Sequence, residues 1–463
     1  MDSNENRRFL RRVFALMIPV LIQNGITNFV SMLDNVMVGR VGDAETAAVS
    51  IAGLLIFIFN LCIFGAVSGA GIFGAQFYGA GDTEGLRQTF RFKVVMSAVI
   101  TGAATLIFIF FGEFFISLFL TGEGEPEVIA RTAELAHDYL MTMLVGLFPF
   151  ALVQCFASTL RETGRTVLPM AAGFAATLVN LVLNYILIFG NFGAPRLGVV
   201  GAAIATVVSR FVELSIVAVG TWVTREKGPF IVGAFTKFYI PVSLMKRIIV
   251  KGCPLIINET MWSLGLTTLN ALYSTRGHDV VTANSINQTF FNVVAVGFFS
   301  LGPVVSIIIG QMLGAGQIEE AKHAANKLIK ISLVIGVVIG GLYVGMSFFA
   351  PNFYNVGDSV RSIASTLMII CACSMPFEGM MHAEYFAIRS GGKMLITVLF
   401  DSGFMWAACV STVFILSKTT DLSIFWLYGA VQVLNAVKCL IGFVLVRRGD
   451  WATNLVKSGA DAS

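Results

Sequence analysis

Apolar stretches of about 20 residues, the length an α-helix needs to cross a hydrocarbon layer of roughly 30 Å, recur along the whole of this chain. Short polar segments separate them, among them GRVGDAET from Gly39 and GAGDTEGLR from Gly79. The pattern predicts twelve spanning helices near residues 13–38, 46–74, 93–119, 134–159, 166–190, 198–223, 248–273, 282–310, 328–350, 362–388, 394–416 and 423–446. The first stretch exceeds a signal-peptide core and lacks a small-residue cleavage site, so it is expected to be a retained span. The predicted fold class is an all-α membrane protein.

Composition agrees with a membrane solvent: 56% of the 463 residues are hydrophobic and only 13% are charged, against roughly 25% charged in ordinary soluble domains. Charge placement then orients the spans. Arg7, Arg8, Arg11 and Arg12 precede the first, and alternate loops carry basic clusters such as Arg87/Arg91/Lys93, Arg225/Lys227/Lys246/Arg247, Lys322/Lys327/Lys330 and Arg447/Arg448. The loops between them hold Arg40, Arg131, Arg196, Arg276, Arg361 and Lys418 singly. By the positive-inside rule both termini are expected in the cytoplasm of a multi-pass protein of the inner or plasma membrane. The basic residues form no continuous stripe, which argues against a nucleic-acid partner. Seven cysteines scattered in apolar stretches argue against a disulfide framework or a zinc site. Neither an HExxH pattern nor a phosphate loop occurs among the four histidines and the glycine-rich turns, so neither a catalytic residue nor a structural metal is expected.

The sequence repeats itself at an offset of 235 residues. Arg12 falls on Arg247, Pro19 on Pro254, Ser50-Ile51 on Ser285-Ile286, and QFYGAGDTEGLR (from Gln76) on QMLGAGQIEEAK (from Gln311). Two pseudo-symmetric six-helix bundles follow, each entered from the cytoplasm, with a substrate site between halves that alternate access. The expected segments are a cytoplasmic N-terminus (1–12), a first lobe (13–223), a polar connector (224–247), a second lobe (248–446) and a cytoplasmic tail (447–463).

Carboxylates within spans are costly and so mark function by default. Asp34 lies late on an outward-running helix, and Asn180 and Asn184, spaced i, i+4, share one face of another; these three are expected to form a polar pocket in the outer part of the first lobe. Interhelical hydrogen bonding is the alternative for the asparagine pair. In the second lobe Glu259, Glu378 and Asp401 fall at inner to middle depth. Glu213 follows Arg210 by three residues and reads as a local ion pair, while Glu384, near His382 and Arg389, reads as a paired or solvated structural group. A buried carboxylate can exchange H⁺ or Na⁺ for a cationic solute, so the chemistry points to transport without a bound cofactor.

Several segments resemble the multidrug and toxin extrusion (MATE) family: LDNVMVGRVGDAETAAVSI (from Leu33), GAQFYGAGD (from Gly74), GQMLGAGQ (from Gly310) and NLVLNYILIFG (from Asn180). The resemblance implies a V-shaped pair of six-helix bundles that exports cationic amphipathic compounds in exchange for H⁺ or Na⁺, working as a monomer in the lipid bilayer. It carries Asp34 and Asn180 over as a cation site of the first lobe, with transient Na⁺ at Asp34 or Glu378; Asn184 stands where many members have Asp. Glu378, eleven residues before Arg389, matches the acid of the second lobe. Glu259 resembles the family's seventh-span glutamate, one turn nearer the proline, and Asp401 has no counterpart. The alternative is a flippase for a lipid-linked precursor, which would favour a strongly cationic cavity.

Overall fold

The computed structural model describes residues 3–120, 125–236 and 238–457; residues 458–463 of the expected tail lie outside the described residues. The described chain is helical and contains no strand. Twelve long helices follow one another: α1 (Ser3–Gly39), α2 (Asp43–Gly79), α3 (Thr83–Ser117), α4 (Pro126–Glu162), α5 (Val167–Phe189), α6 (Gly198–Val223), α7 (Val242–Ser274), α8 (His278–Gly314), α9 (Ile318–Ser347), α10 (Asp358–Ser390), α11 (Met394–Thr419) and α12 (Ile424–Arg448). Among the described residues eleven are long and apolar enough to cross a membrane. The remaining one, α7, has the length, 33 residues, but Lys246, Arg247, Lys251 and Glu259 lower its hydropathy.

Most helices run past the predicted spans, because nothing in their first turns breaks a helix once the chain has left the hydrocarbon. The extension of α3 corrects one expectation. Arg91 and Lys93, read from sequence as loop residues, are buried on α3, at 2% and 0% exposure. Arg91 donates to the carbonyls of Gly233, Ala234 and Tyr239 at 2.9, 2.7 and 3.1 Å and pairs with Glu84 at 2.8 Å. These charge-assisted bonds tie the polar connector to α3, and Phe90 stacks there edge-on against Phe156, Phe230 and Phe235.

Contacts divide the chain into two compact units, Met1–Gly74 with Thr83–Gly252, and Ala75–Asp82 with Cys253–Ser463. In the first, α6 packs on both α4 and α5, and α1 lies against α5. The Gly190 N–H closes the last turn of α5 on the Ile186 carbonyl, and its φ of 75° then turns the chain out of the helix, the left-handed end that glycine allows. In the second unit α10 is central, packed on α8, α9 and α12. Its crossing with α9 rests on glycines one turn apart: a Cβ at Gly336 or Gly340 would lie 2.7 Å from the Met375 or Ala372 carbonyl oxygen. Small residues at this spacing let helix backbones approach closely in a membrane.

Prolines shape two further elements. Pro303 has no N–H for the carbonyl four residues back, that of Phe299. Helix α8 is interrupted there, at Ser300, and His382 hydrogen-bonds the Phe299 backbone instead. Helix α11 widens into π turns at Leu399–Gly403 and Met405–Val410, a distortion that tends to mark functional sites.

Candidate functional site

In the first unit the structure brings Asp34, Asn180 and Asn184 together. Asn184 Nδ2 donates to Asp34 Oδ1 at 2.6 Å. The Asn180 amide fits with its nitrogen toward the acid: so placed it donates to both Asp34 oxygens at 3.2 Å, and its oxygen accepts from Thr206 Oγ1 at 3.3 Å. Both asparagines are buried while Asp34 is half-buried. Arg210 lies within electrostatic reach of Asp34 but is bonded to Glu213 at 3.3 Å and sits over the Phe150 ring. The local Arg210–Glu213 pair is as the spacing predicts. The carboxylate thus has amide donors and no cation in direct contact among the described residues, and Asn184 Oδ1 is buried with no hydrogen-bond partner. Such an arrangement can accept a proton or a small hard cation.

The second unit gathers its acids into a polar network. Asn435 Nδ2 donates to Glu378 Oε1 at 2.7 Å. Lys438 Nζ donates to Asp401 Oδ1 at 2.8 Å, and Asn258 Nδ2 to Asp401 Oδ2 at 2.8 Å. Ser402 Oγ donates to the Asn258 carbonyl at 2.7 Å. The π turn of α11 sets these neighbours, Asp401 and Ser402, on one asparagine, which an α-turn's 100° step per residue does not favour. The Tyr385 hydroxyl donates to Glu259 at 3.1 Å, and the Arg389 guanidinium lies over the Tyr385 and Phe386 rings.

Glu384 departs from the sequence reading. It is fully buried, at 0% exposure, and makes no ion pair among the described residues. Its helix turns it toward α12, where Cys439 Sγ is 4.0 Å from Oε1, and not toward His382 or Arg389.

A further buried charge pair escaped the sequence. Lys93 Nζ on α3 is 2.5 Å and 2.7 Å from the Glu162 oxygens on α4, with Ser158 and Thr159 hydroxyls completing its shell. Gly71 and Gly74 of α2 leave the room: a Cβ at either would meet the Glu162 carboxylate. Sequence reasoning also passed over Thr206, Asn258, Tyr385 and Asn435, the neutral partners of the acids. Asn435 and Lys438 lie i, i+3 within one apolar span, and that spacing was the available signal.

Comparison with known proteins fits this geometry. The family model MatE matches residues 19–186 and 254–401, one block in each half. A Thermotoga maritima protein, named probable multidrug resistance protein NorM, is 24% identical over 92% of this chain and 89% of its own length. The Bacillus subtilis probable multidrug resistance protein YoeA is 26% identical over 93% and 92%. Of solved structures, a mutant of the Vibrio cholerae MATE transporter VcmN matches with a TM-score of 0.86 at 17% identity, covering 97% of this chain and 100% of that one.

Proposed function

The chain belongs to the MatE family of multidrug efflux transporters, and from that premise we propose that it exports cationic amphipathic small molecules in exchange for H⁺ or Na⁺. The observation that carries this reading is Asp34: a half-buried carboxylate inside a spanning helix, held by the Asn184 amide at 2.6 Å and faced by Asn180, with no cation in contact among the described residues. Burying such a charge is costly, and a proton or Na⁺ relieves the cost. Release of that ion leaves a negative site that suits a cationic solute. For Na⁺, the Asp34 oxygens and the unpartnered Asn184 Oδ1 offer oxygen ligands of the kind hard cations prefer. Glu378, with a single amide donor, is the corresponding exchangeable acid of the second unit. Asp401, neutralised by Lys438, and Glu259, bonded by Tyr385, take supporting parts in its field.

A flippase for a phosphate-bearing lipid calls for free cations in the cavity. Arg210 and Lys438, the two basic residues deep within predicted spans, are instead each engaged by a carboxylate, which favours the antiporter. The distribution of Lys and Arg supports cytoplasmic termini in the plasma membrane, and the presence of both acid sites on one chain supports function as a monomer.

The test is counterflow in proteoliposomes, with an ethidium-like cation and separately imposed H⁺ and Na⁺ gradients. One of the two gradients is expected to drive dye export. Dye movement indifferent to both would refute the antiporter reading.

A further inference from the structure

We propose that Glu384 is a proton-binding site of the second unit, separate from Glu378 and occupied in this structure. The case begins with pairing. The polar network of this unit holds four carboxylic side chains, the half-buried Glu259, Glu378 and Asp401 and the fully buried Glu384, and each meets a different neighbour. Asp401 has Lys438 at 2.8 Å and Asn258 at 2.8 Å. Glu259 has the Tyr385 hydroxyl and lies within electrostatic reach of Arg389. Glu378 has Asn435 at 2.7 Å. Among the described residues Glu384 Oε2 has no hydrogen-bond partner, and its Oε1 has only the weak Cys439 thiol at 4.0 Å.

A carboxylate so enclosed is untenable as an anion. An ionised carboxyl without donors bears a heavy desolvation cost, and the ordinary relief is to take up a proton. In this arrangement no other remedy is in place: Oε2 stands against α12 at Gly442, where an added Cβ would come within 2.1 Å of it, and the Phe400 ring closes the same place at 2.8 Å from that Cβ.

The surrounding charges do not supply a partner. From α12, Lys438 is the charge that acts on Glu384, but its ammonium is committed to Asp401. From the π segment of α11, Asp401 is of the wrong sign. On α10 itself the titratable neighbours are Glu378, His382, Tyr385 and Arg389, the arginine lying over the Tyr385 and Phe386 rings. On α8 the titratable residues, His278 and Asp279, lie in the first turn; on α9 Glu319, Glu320, Lys322, His323, Lys327 and Lys330 lie in the first four turns and none is buried, while the Tyr343 hydroxyl donates to the Asn287 carbonyl at 2.7 Å.

Lys438 and Gly442 are one turn apart and so share a face of α12. The lysine is therefore the cation placed to replace the proton. Were Lys438 to move from Asp401 to Glu384, the proton would leave the carboxyl for water, and Asp401 would be left to take a proton or cation in turn. The assignment holds whichever ion drives export.

Infrared spectroscopy on the full-length protein in proteoliposomes at neutral pH tests the site without any transport assay. The wild type is expected to show a carbonyl-stretch band of a protonated carboxylic acid, sensitive to deuterium exchange, that disappears in Glu384→Gln and returns at a shifted frequency in Glu384→Asp. Glu378→Gln should leave that band in place. The proposal is overturned if the carboxylic-acid region is the same in wild type and Glu384→Gln. It is equally overturned if the band lost in Glu384→Gln fails to return in a folded Glu384→Asp, since the loss would then reflect disturbed packing.

Discussion

At the scale of single residues, what separates the acids is the company each keeps. Asp34 and Glu378 are held by amides and have no cation in contact among the described residues, so Asp34→Asn and Glu378→Gln should each abolish gradient-driven dye export while leaving membrane insertion intact. Flux in proteoliposomes and the yield of folded protein check the two halves of that statement. If both variants export like wild type, the coupling sites lie elsewhere. The Lys93–Glu162 pair is a different case, because its two charges cancel in a dry place. Lys93→Met strands a buried carboxylate and should cost about 3–5 kcal/mol, whereas removing both charges with Lys93→Met and Glu162→Gln should cost much less. Thermal unfolding of the single and double variants in detergent measures the difference. Sequence made Asp34, Glu378 and Asp401 visible, since an acid in an apolar run stands out. It missed the Lys93 pair because both residues fall at the ends of predicted spans, where charge is ordinarily solvated.

At the scale of elements, backbone proximity does what large side chains do in soluble cores. The crossing of α9 with α10 needs bare glycine at positions 336 and 340. Gly340→Leu should force the helices apart and destabilise the second unit by about 1–3 kcal/mol or more, the usual cost of overpacking. Gly341→Ala, with open space around its added carbon, is the matched control. Thermal denaturation should separate the two, and equal stability would remove the crossing from the account. Helix existence was readable from hydropathy almost throughout. The π turns of α11 and the interruption of α8 at Ser300 were not, because each depends on where neighbouring helices offer partners for displaced backbone and side-chain groups.

At the scale of the molecule, the repeat of the sequence does not set the boundaries of the packed units. The end of α2, Ala75–Asp82, belongs to the second unit. There Gln76 donates to the Ser390 and Thr453 carbonyls at 3.0 and 3.2 Å and accepts from the Leu455 N–H at 2.7 Å. Gly79 and Gly314 make the crossing possible: a Cβ on either would strike the backbone of Gln311 or Gln76, at 2.0 and 1.9 Å from its carbonyl oxygen. The two GAG motifs matched by the 235-residue offset thus meet in space. The tail residue Trp451, at 2% exposure, is seated on the same surface, with its indole N–H on the Val446 carbonyl at 2.9 Å. Gln76→Ala should release the tail, seen as faster proteolysis within residues 449–457 under native conditions. Unchanged cleavage would mean that its other contacts hold it, namely Trp451 with Thr453 on the Gly391 carbonyl and Asn454 on the Gly314 carbonyl.

The sequence by itself determined the all-helical membrane class, the duplicated scaffold and the presence of acids inside spans. Each of these follows from a local rule: hydrocarbon thickness sets apolar run length, gene-level repetition keeps a register, and a charge in an apolar run cannot hide. Only the tertiary structure decided which acid is neutralised, which is held by amides and which is left alone. Asp401 and Glu384 look alike in the sequence, each an acid in an apolar helix. One meets Lys438 and the other meets Gly442, a single turn further along the same helix, because partners at atomic distance are chosen by how helices cross, and that choice is not written in the periodicity of any one of them.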